Sequence, residues 1–135
     1  MNYLESSPTD EEFAAAVERC EVPNAGFHHR DHLRLAWIYV GRYGPGEAGA
    51  RIAATIRRFA AHHGQSARYH ETMTQAWLLL VAATGGASFE EALQANPRLL
   101  DQGSLGIYYS AGPLASEEAR VRFVPPDLAP FPEVK

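Results

Sequence analysis

Phe27-His28-His29-Arg30-Asp31-His32-Leu33-Arg34-Leu35-Ala36-Trp37-Ile38-Tyr39-Val40 is the stretch from which the fold of this chain is read. At about 100° per residue, His28, His29, His32, Leu33, Ala36, Tyr39 and Val40 fall within one broad arc, and Arg30, Asp31, Arg34 and Gly41 fall outside it. The pattern predicts an amphipathic helix from His28 or His29 to Tyr43, stopped by Gly44-Pro45-Gly46. Its histidines face the apolar side, and a spacing of three or four residues lets two of them grip one ion.

Neighbouring segments read the same way. Upstream, Thr9 with Glu12 forms a capping box that starts a helix running to about Cys20, ended by Pro23-Asn24-Ala25-Gly26. Downstream, a helix spans Glu47 to His63, with Gly64 where a left-handed cap residue belongs. On it Ile52, Ile56, Phe59 and His63 are in line, so His63 points inward and His62 to solvent. The next helix runs from about Arg68 to Ala83 and is apolar on nearly every side after its first turn, as a central helix would be. Ser88 and Glu91 form a second capping box for a helix ending before Asn96-Pro97. No segment before residue 100 alternates as a half-buried strand does.

Beyond Asp101 glycines interrupt Ser104 to Ser110, and Ser116 to Arg122 reads as a further turn or two of helix. The last segment, 123–135, is an irregular tail rich in proline, whose Val124, Leu128 and Phe131 suggest that it wraps over the helices. The expected fold is all-α: a compact bundle of about five helices with this tail packed on it, in one domain over 1–135.

A chain of 135 residues, 46% hydrophobic and 21% charged, can bury its own core without staples. The net charge of −4 leaves no basic stripe for nucleic acid. The longest apolar run, Ala76 to Ala83, is too short for a bilayer, and the acidic N-terminus does not resemble a secretory signal. With a single cysteine, Cys20, read as a small buried or partly buried hydrophobe, these features favour a cytoplasmic protein without nucleic-acid or membrane partners. A homodimer stays open.

The six histidines all lie between residues 28 and 70. A short connection between the helices ending at Tyr43 and beginning at Glu47 makes them antiparallel. His28, His29, His32, His63, His70 and Glu71 then gather at one end of the bundle. Imidazoles beside a carboxylate suit a divalent ion, Zn²⁺ as Lewis acid and water activator or Fe²⁺ as an oxygen-activating centre. In this reading His29, His32 and His70 are the ligands, and Glu71 is a fourth ligand or the general base. His63 is a reserve ligand or acid/base, and Trp37, Tyr39, Tyr69 and Tyr108 are pocket residues. The expected function is a metal-dependent enzyme acting on a small molecule. The alternatives are a metal-free enzyme in which a Glu71–His pair moves protons in an isomerisation, cyclisation or lyase reaction, and a non-catalytic small-molecule or metal-binding protein. Each residue also has an ordinary role: an inward histidine hydrogen-bonds within a core, Glu71 suits a helix first turn, and the aromatic residues are packing first.

The F-x-H-x-x-H-x-x-x-A-W string beginning at Phe27, the His63-Gly64 pair and Tyr69-His70-Glu71-Thr72 together resemble a group of small bacterial all-helical proteins. The resemblance extends to Tyr108-Tyr109-Ser110 and to the tail from Phe123 to Pro132. It implies that His29 and His32, rather than His28, form the matching pair, with His63, His70 and Glu71 beside them, and it implies no activity. DinB-like hydrolases and hemerythrins are similar in general layout alone, since neither ligand spacing occurs here.

Overall fold

Thr9 starts the first helix as its sequence suggests: its hydroxyl accepts from the Glu12 amide, and the Glu12 carboxylate accepts from the Thr9 amide. The computed structural model describes residues 9–134. Within them lie α1 (Asp10–Glu18), α2 (His29–His62), α3 (Glu71–Ala82), α4 (Phe89–Ala95), α5 (Ala111–Ala115) and α6 (Glu117–Val121). Short 3-10 turns lie at Asn24–Gly26, Ser66–Arg68, Pro97–Leu100 and Gln102–Ile107. The described residues contain no strand, and none of their helices is long and apolar enough to cross a membrane.

α1 stops at Glu18, two residues before the expected Cys20. Cys20 takes the left-handed conformation (φ 60°), while the Glu21 amide bonds back to the Ala16 carbonyl, so a cysteine does the closing work usually given to glycine. α2 is two helical arms, 29–43 and 45–62, broken at Gly44, whose φ of 78° and ψ of 159° are not helical. The break follows from the residue pair. A residue before proline is pushed out of the α region, glycine tolerates positive φ, and proline fits the first position of the new arm because it has no amide to satisfy. The second arm therefore begins at residue 45, not at Glu47. The arms fold back on each other, so that Phe27 meets Phe59 at 4.9 Å between ring centroids and Tyr39 Oη lies 2.9 Å from Thr55 Oγ1. Gly64 (φ 68°) closes the second arm in the left-handed position expected of it.

α3 packs mainly on α2 and is buried around most of its circumference, with Thr72, Thr74, Ala76, Trp77, Leu78, Leu80, Val81 and Ala82 all buried. The two helices come close at Gly49, where an added Cβ would lie 2.7 Å from Gln75 Oε1. α3 begins at Glu71 because Arg68 belongs to the preceding 3-10 turn and His70 is the cap. Ser88 caps α4, accepting from the Glu91 amide. The core joins Phe13 and Val17 of α1, Leu33, Leu35, Tyr39, Ile52 and Phe59 of α2, the inner face of α3, and Phe89, Leu93, Leu99 and Leu105.

Residues 122–131 are tied to α3 and to Tyr108, Tyr109 and Ser110, which follow the Gln102–Ile107 turn, by specific bonds and ring contacts. Thr72 Oγ1 donates to the Arg122 carbonyl (2.8 Å) and accepts from the Val124 amide (3.0 Å). Tyr109 Oη donates to the Val124 carbonyl, Asp127 accepts from Ser110, and the Phe131 ring lies against Tyr108 and Tyr109.

Candidate functional site

His29 and His32 occupy the first turn of α2, three residues apart and therefore on one face. Asp31 holds this start in place by accepting from the His28 amide (2.9 Å). A cleft of about 290 Å³ opens beside them, lined also by His28, Tyr69, His70, Trp77 and Gln102. The fold-back at Gly44 brings Ile56 into the same wall, and the turn Ser66–Arg68 supplies Arg68.

The histidines lining the cleft are in different chemical states. His29 Nε2 lies 2.7 Å from the Leu99 carbonyl oxygen, and a carbonyl only accepts, so the proton sits on Nε2 and Nδ1 carries a free lone pair. Its ring makes an edge contact with Trp77 at 4.5 Å. Burial lowers the His29 pKa from its ordinary value, partly offset by the Leu99 carbonyl, which favours the charged ring. His32 Nε2 is buried and has no hydrogen-bond partner among the described residues. Burial, with a smaller contribution from nearby His29, pushes its pKa down to about 4. Both rings are therefore neutral at pH 7.

His70 is engaged at both nitrogens. Its Nδ1 accepts from the Met73 amide (3.1 Å), capping α3, and Nε2 donates to the Leu114 carbonyl (2.9 Å). A ring held in this way has no lone pair left for an ion. His28, also on the cleft, is exposed to solvent.

Glu71 sits behind Tyr69 and does not line the cleft. Its carboxylate accepts from Tyr69 Oη (2.5 Å), Gln75 Nε2 (3.2 Å) and Arg57 (3.4 Å). The Arg57 guanidinium also lies over the Tyr69 ring. Burial, and then the Glu71 carboxylate, raise the Tyr69 pKa, so its hydroxyl stays protonated.

The other residues singled out from the sequence are dispersed. His63 lies at the end of α2, its Nε2 donating to the Val22 carbonyl (3.2 Å) and its ring against Phe59. Tyr39 is in the core, its hydroxyl bonded to Glu18 and Thr55. Trp37 borders a separate surface cleft with Arg34 and Phe89, and Tyr108 borders a further cavity of about 470 Å³. The structure thus brings His29, His32, His70 and Tyr69 together with His28, and leaves His63, Glu71, Trp37, Tyr39 and Tyr108 outside the cleft. Arg68, Gln102 and the Leu99 carbonyl were not singled out from the sequence. Arg68 was within reach as the neighbour of Tyr69-His70, whereas Gln102 and Leu99 arrive from a distant turn with no local signal.

Among the described residues no group of three or more His, Cys, Asp or Glu side chains is arranged to hold a metal ion. Comparison with known protein families, with curated proteins and with solved structures finds no match to this chain.

Proposed function

We propose that the histidine cleft binds a small organic anion and moves a proton on it, in an isomerase- or lyase-type reaction. The observation that carries this reading is the buried Nε2 of His32, a residue that lines the cleft, with no hydrogen-bond partner among the described residues. An unsatisfied buried nitrogen costs about 1 to 3 kcal/mol, and a ligand that hydrogen-bonds to it removes that cost. No carboxylate lines the cleft, and Arg68 contributes a permanent positive charge, so an anion suits the site better than a cation.

Two neutral imidazoles, His29 bonded to Leu99 and His32 with its buried Nε2 unbonded among the described residues, divide the work. His29 Nδ1 is the base: it takes a proton from a carbon next to the substrate carbonyl, the C–H electron pair moves into the enolate, and the positive ring is stabilised through its Nε2–H bond to Leu99. His32 donates to the developing oxygen through its ring N–H. Return of the proton to a different carbon completes an isomerisation, and expulsion of a neighbouring group completes an elimination.

Deuterium wash-in tests the proposal. In D₂O a panel of small keto and hydroxy acids should gain deuterium at carbon by NMR, and both His29→Gln and His32→Gln should slow this about a hundredfold. Unchanged rates in both variants, or no exchange and no saturable binding across the panel, would overturn it.

A second reading has one observation in its favour. His29 and His32 are neutral, three residues apart on a helix, and have low proton affinity, the state required of metal-ligating imidazoles. A Zn or Fe ion held by this pair would leave most of its coordination positions to solvent and substrate. Stoichiometric metal in untagged protein that disappears in His32→Ala would favour this reading over the first.

A further inference from the structure

A cavity of about 470 Å³ is separate from the histidine cleft. It lies between the end of α3, the turn Pro97–Leu100 and the turn Gln102–Ile107, with Pro132 at its edge. Leu80, Ala83, Pro97, Leu99 and Ile107 make its walls largely apolar, and its size is within the range of small-molecule sites.

Three of its polar side chains already donate within the protein. Thr84 Oγ1 donates to the Val81 carbonyl (2.7 Å), Ser104 Oγ to the Arg98 carbonyl (3.0 Å) and Asn96 Nδ2 to the Ala92 carbonyl (3.1 Å). Two polar ends are left. The Arg98 guanidinium and Tyr108 Oη have no hydrogen-bond or ion-pair partner among the described residues. Several arginines of this chain are ion-paired, among them Arg30 with Glu90, Arg51 with Glu47 and Arg57 with Glu71. Tyr108 is held ready by the Phe131 ring at 5.0 Å and by the Leu128 amide, which donates to its carbonyl.

We propose that this cavity is a second small-molecule site, one that takes a carboxylate with a compact apolar body. The body lies against Leu80, Ala83 and Leu99. The carboxylate meets the Arg98 guanidinium, which matches it in charge and planar geometry, and accepts from Tyr108 Oη. The site is independent of the proton chemistry proposed for the cleft. It is nonetheless close to it, because Leu99 lines the cavity and holds His29 with its carbonyl.

Titration of the full chain by NMR with 3-phenylpropionate, 3-phenylpropanol and acetate tests the assignment. Phenylpropionate should saturate, shifting Leu80, Leu99 and Tyr108, while the alcohol and acetate bind at least about tenfold more weakly. Arg98→Gln should weaken phenylpropionate about tenfold and leave the alcohol unchanged, and Tyr108→Phe should weaken it about threefold. His32→Gln should leave this affinity intact, which separates failure here from failure of the cleft reading. The proposal is overturned if phenylpropionate does not saturate by about 10 mM. It is equally overturned if the alcohol binds as well, if Arg98→Gln has no effect, or if shifts are confined to His32 and Trp77.

Discussion

His29 Nε2 donates to the carbonyl oxygen of Leu99 across 2.7 Å, joining the first turn of α2 to a 3-10 turn seventy residues further along the chain. The bond settles which nitrogen carries the proton and leaves Nδ1 as an acceptor. The state of the His29 ring is thus decided partly by a main-chain atom of a residue that lines a different cavity.

His32 makes stability depend on acid in a defined window. Its pKa is about 4 when folded and near 6.5 when free, so between these values the unfolded chain binds more protons. Stability present above pH 6.5 is lost as pH falls through the folded pKa, up to about 3 kcal/mol. In urea unfolding at pH 7 and pH 4.5, His32→Leu should lose less stability on acidification than the wild type. At pH 7 it should be within about 1 kcal/mol of the wild type, since leucine leaves no unpaired nitrogen. Parallel acid losses in both proteins would show that His32 is not held neutral.

His70 should behave as a cap. His70→Ala leaves the Met73 amide and the Leu114 carbonyl without their partner and should cost about 1 to 2 kcal/mol. Asparagine accepts well at this position, so His70→Asn should recover about half of the loss in thermal unfolding. A metal content or deuterium-exchange rate that collapses in His70→Asn while stability recovers would instead make His70 part of the chemistry.

Glu71 and Tyr69 form a coupled pair. A double-mutant cycle of Glu71→Gln and Tyr69→Phe should give an interaction of about 1 kcal/mol in stability, the range of a half-buried hydrogen bond to a charged acceptor. Glu71→Gln alone should leave deuterium exchange within about threefold of the wild type, because the carboxylate stands behind Tyr69. A loss of a hundredfold would put Glu71 into the reaction.

Thr72 links α3 to the tail. Thr72→Val keeps the shape, removes both bonds to residues 122 and 124, and should cost about 1 to 3 kcal/mol. Hydrogen exchange should then quicken at the Val124 amide first, and Thr72→Ser should restore protection. Unchanged exchange at Val124 would mean that the tail is held by other contacts.

Much of the helical layout was legible because its signals are local. Thr9 with Glu12, Gly44 before Pro45 and Gly64 after His63 act through neighbouring backbone atoms. Their effects on helix starts and stops need no knowledge of the rest of the chain. The end of α1 was less legible, since Cys20 has no sequence mark of a left-handed cap. The start of α3 was misplaced because His70, an uncommon cap, carries none of the usual serine, threonine or aspartate signature.

The grouping of His29, His32 and His70 follows from helical periodicity and one tight connection, both written in the order of residues. Which of their nitrogens is free does not. The Leu99 carbonyl reaches His29, the Leu114 carbonyl reaches His70, and no group among the described residues bonds to His32 Nε2. These outcomes depend on where distant turns settle when the apolar faces of the helices pack. Sequence alone therefore determined which imidazoles share a face, through spacings of three and four residues. The tertiary structure decided which of them are occupied, because hydrogen-bond partners for a buried ring are supplied by packing across the fold and not by the residues beside it in the chain.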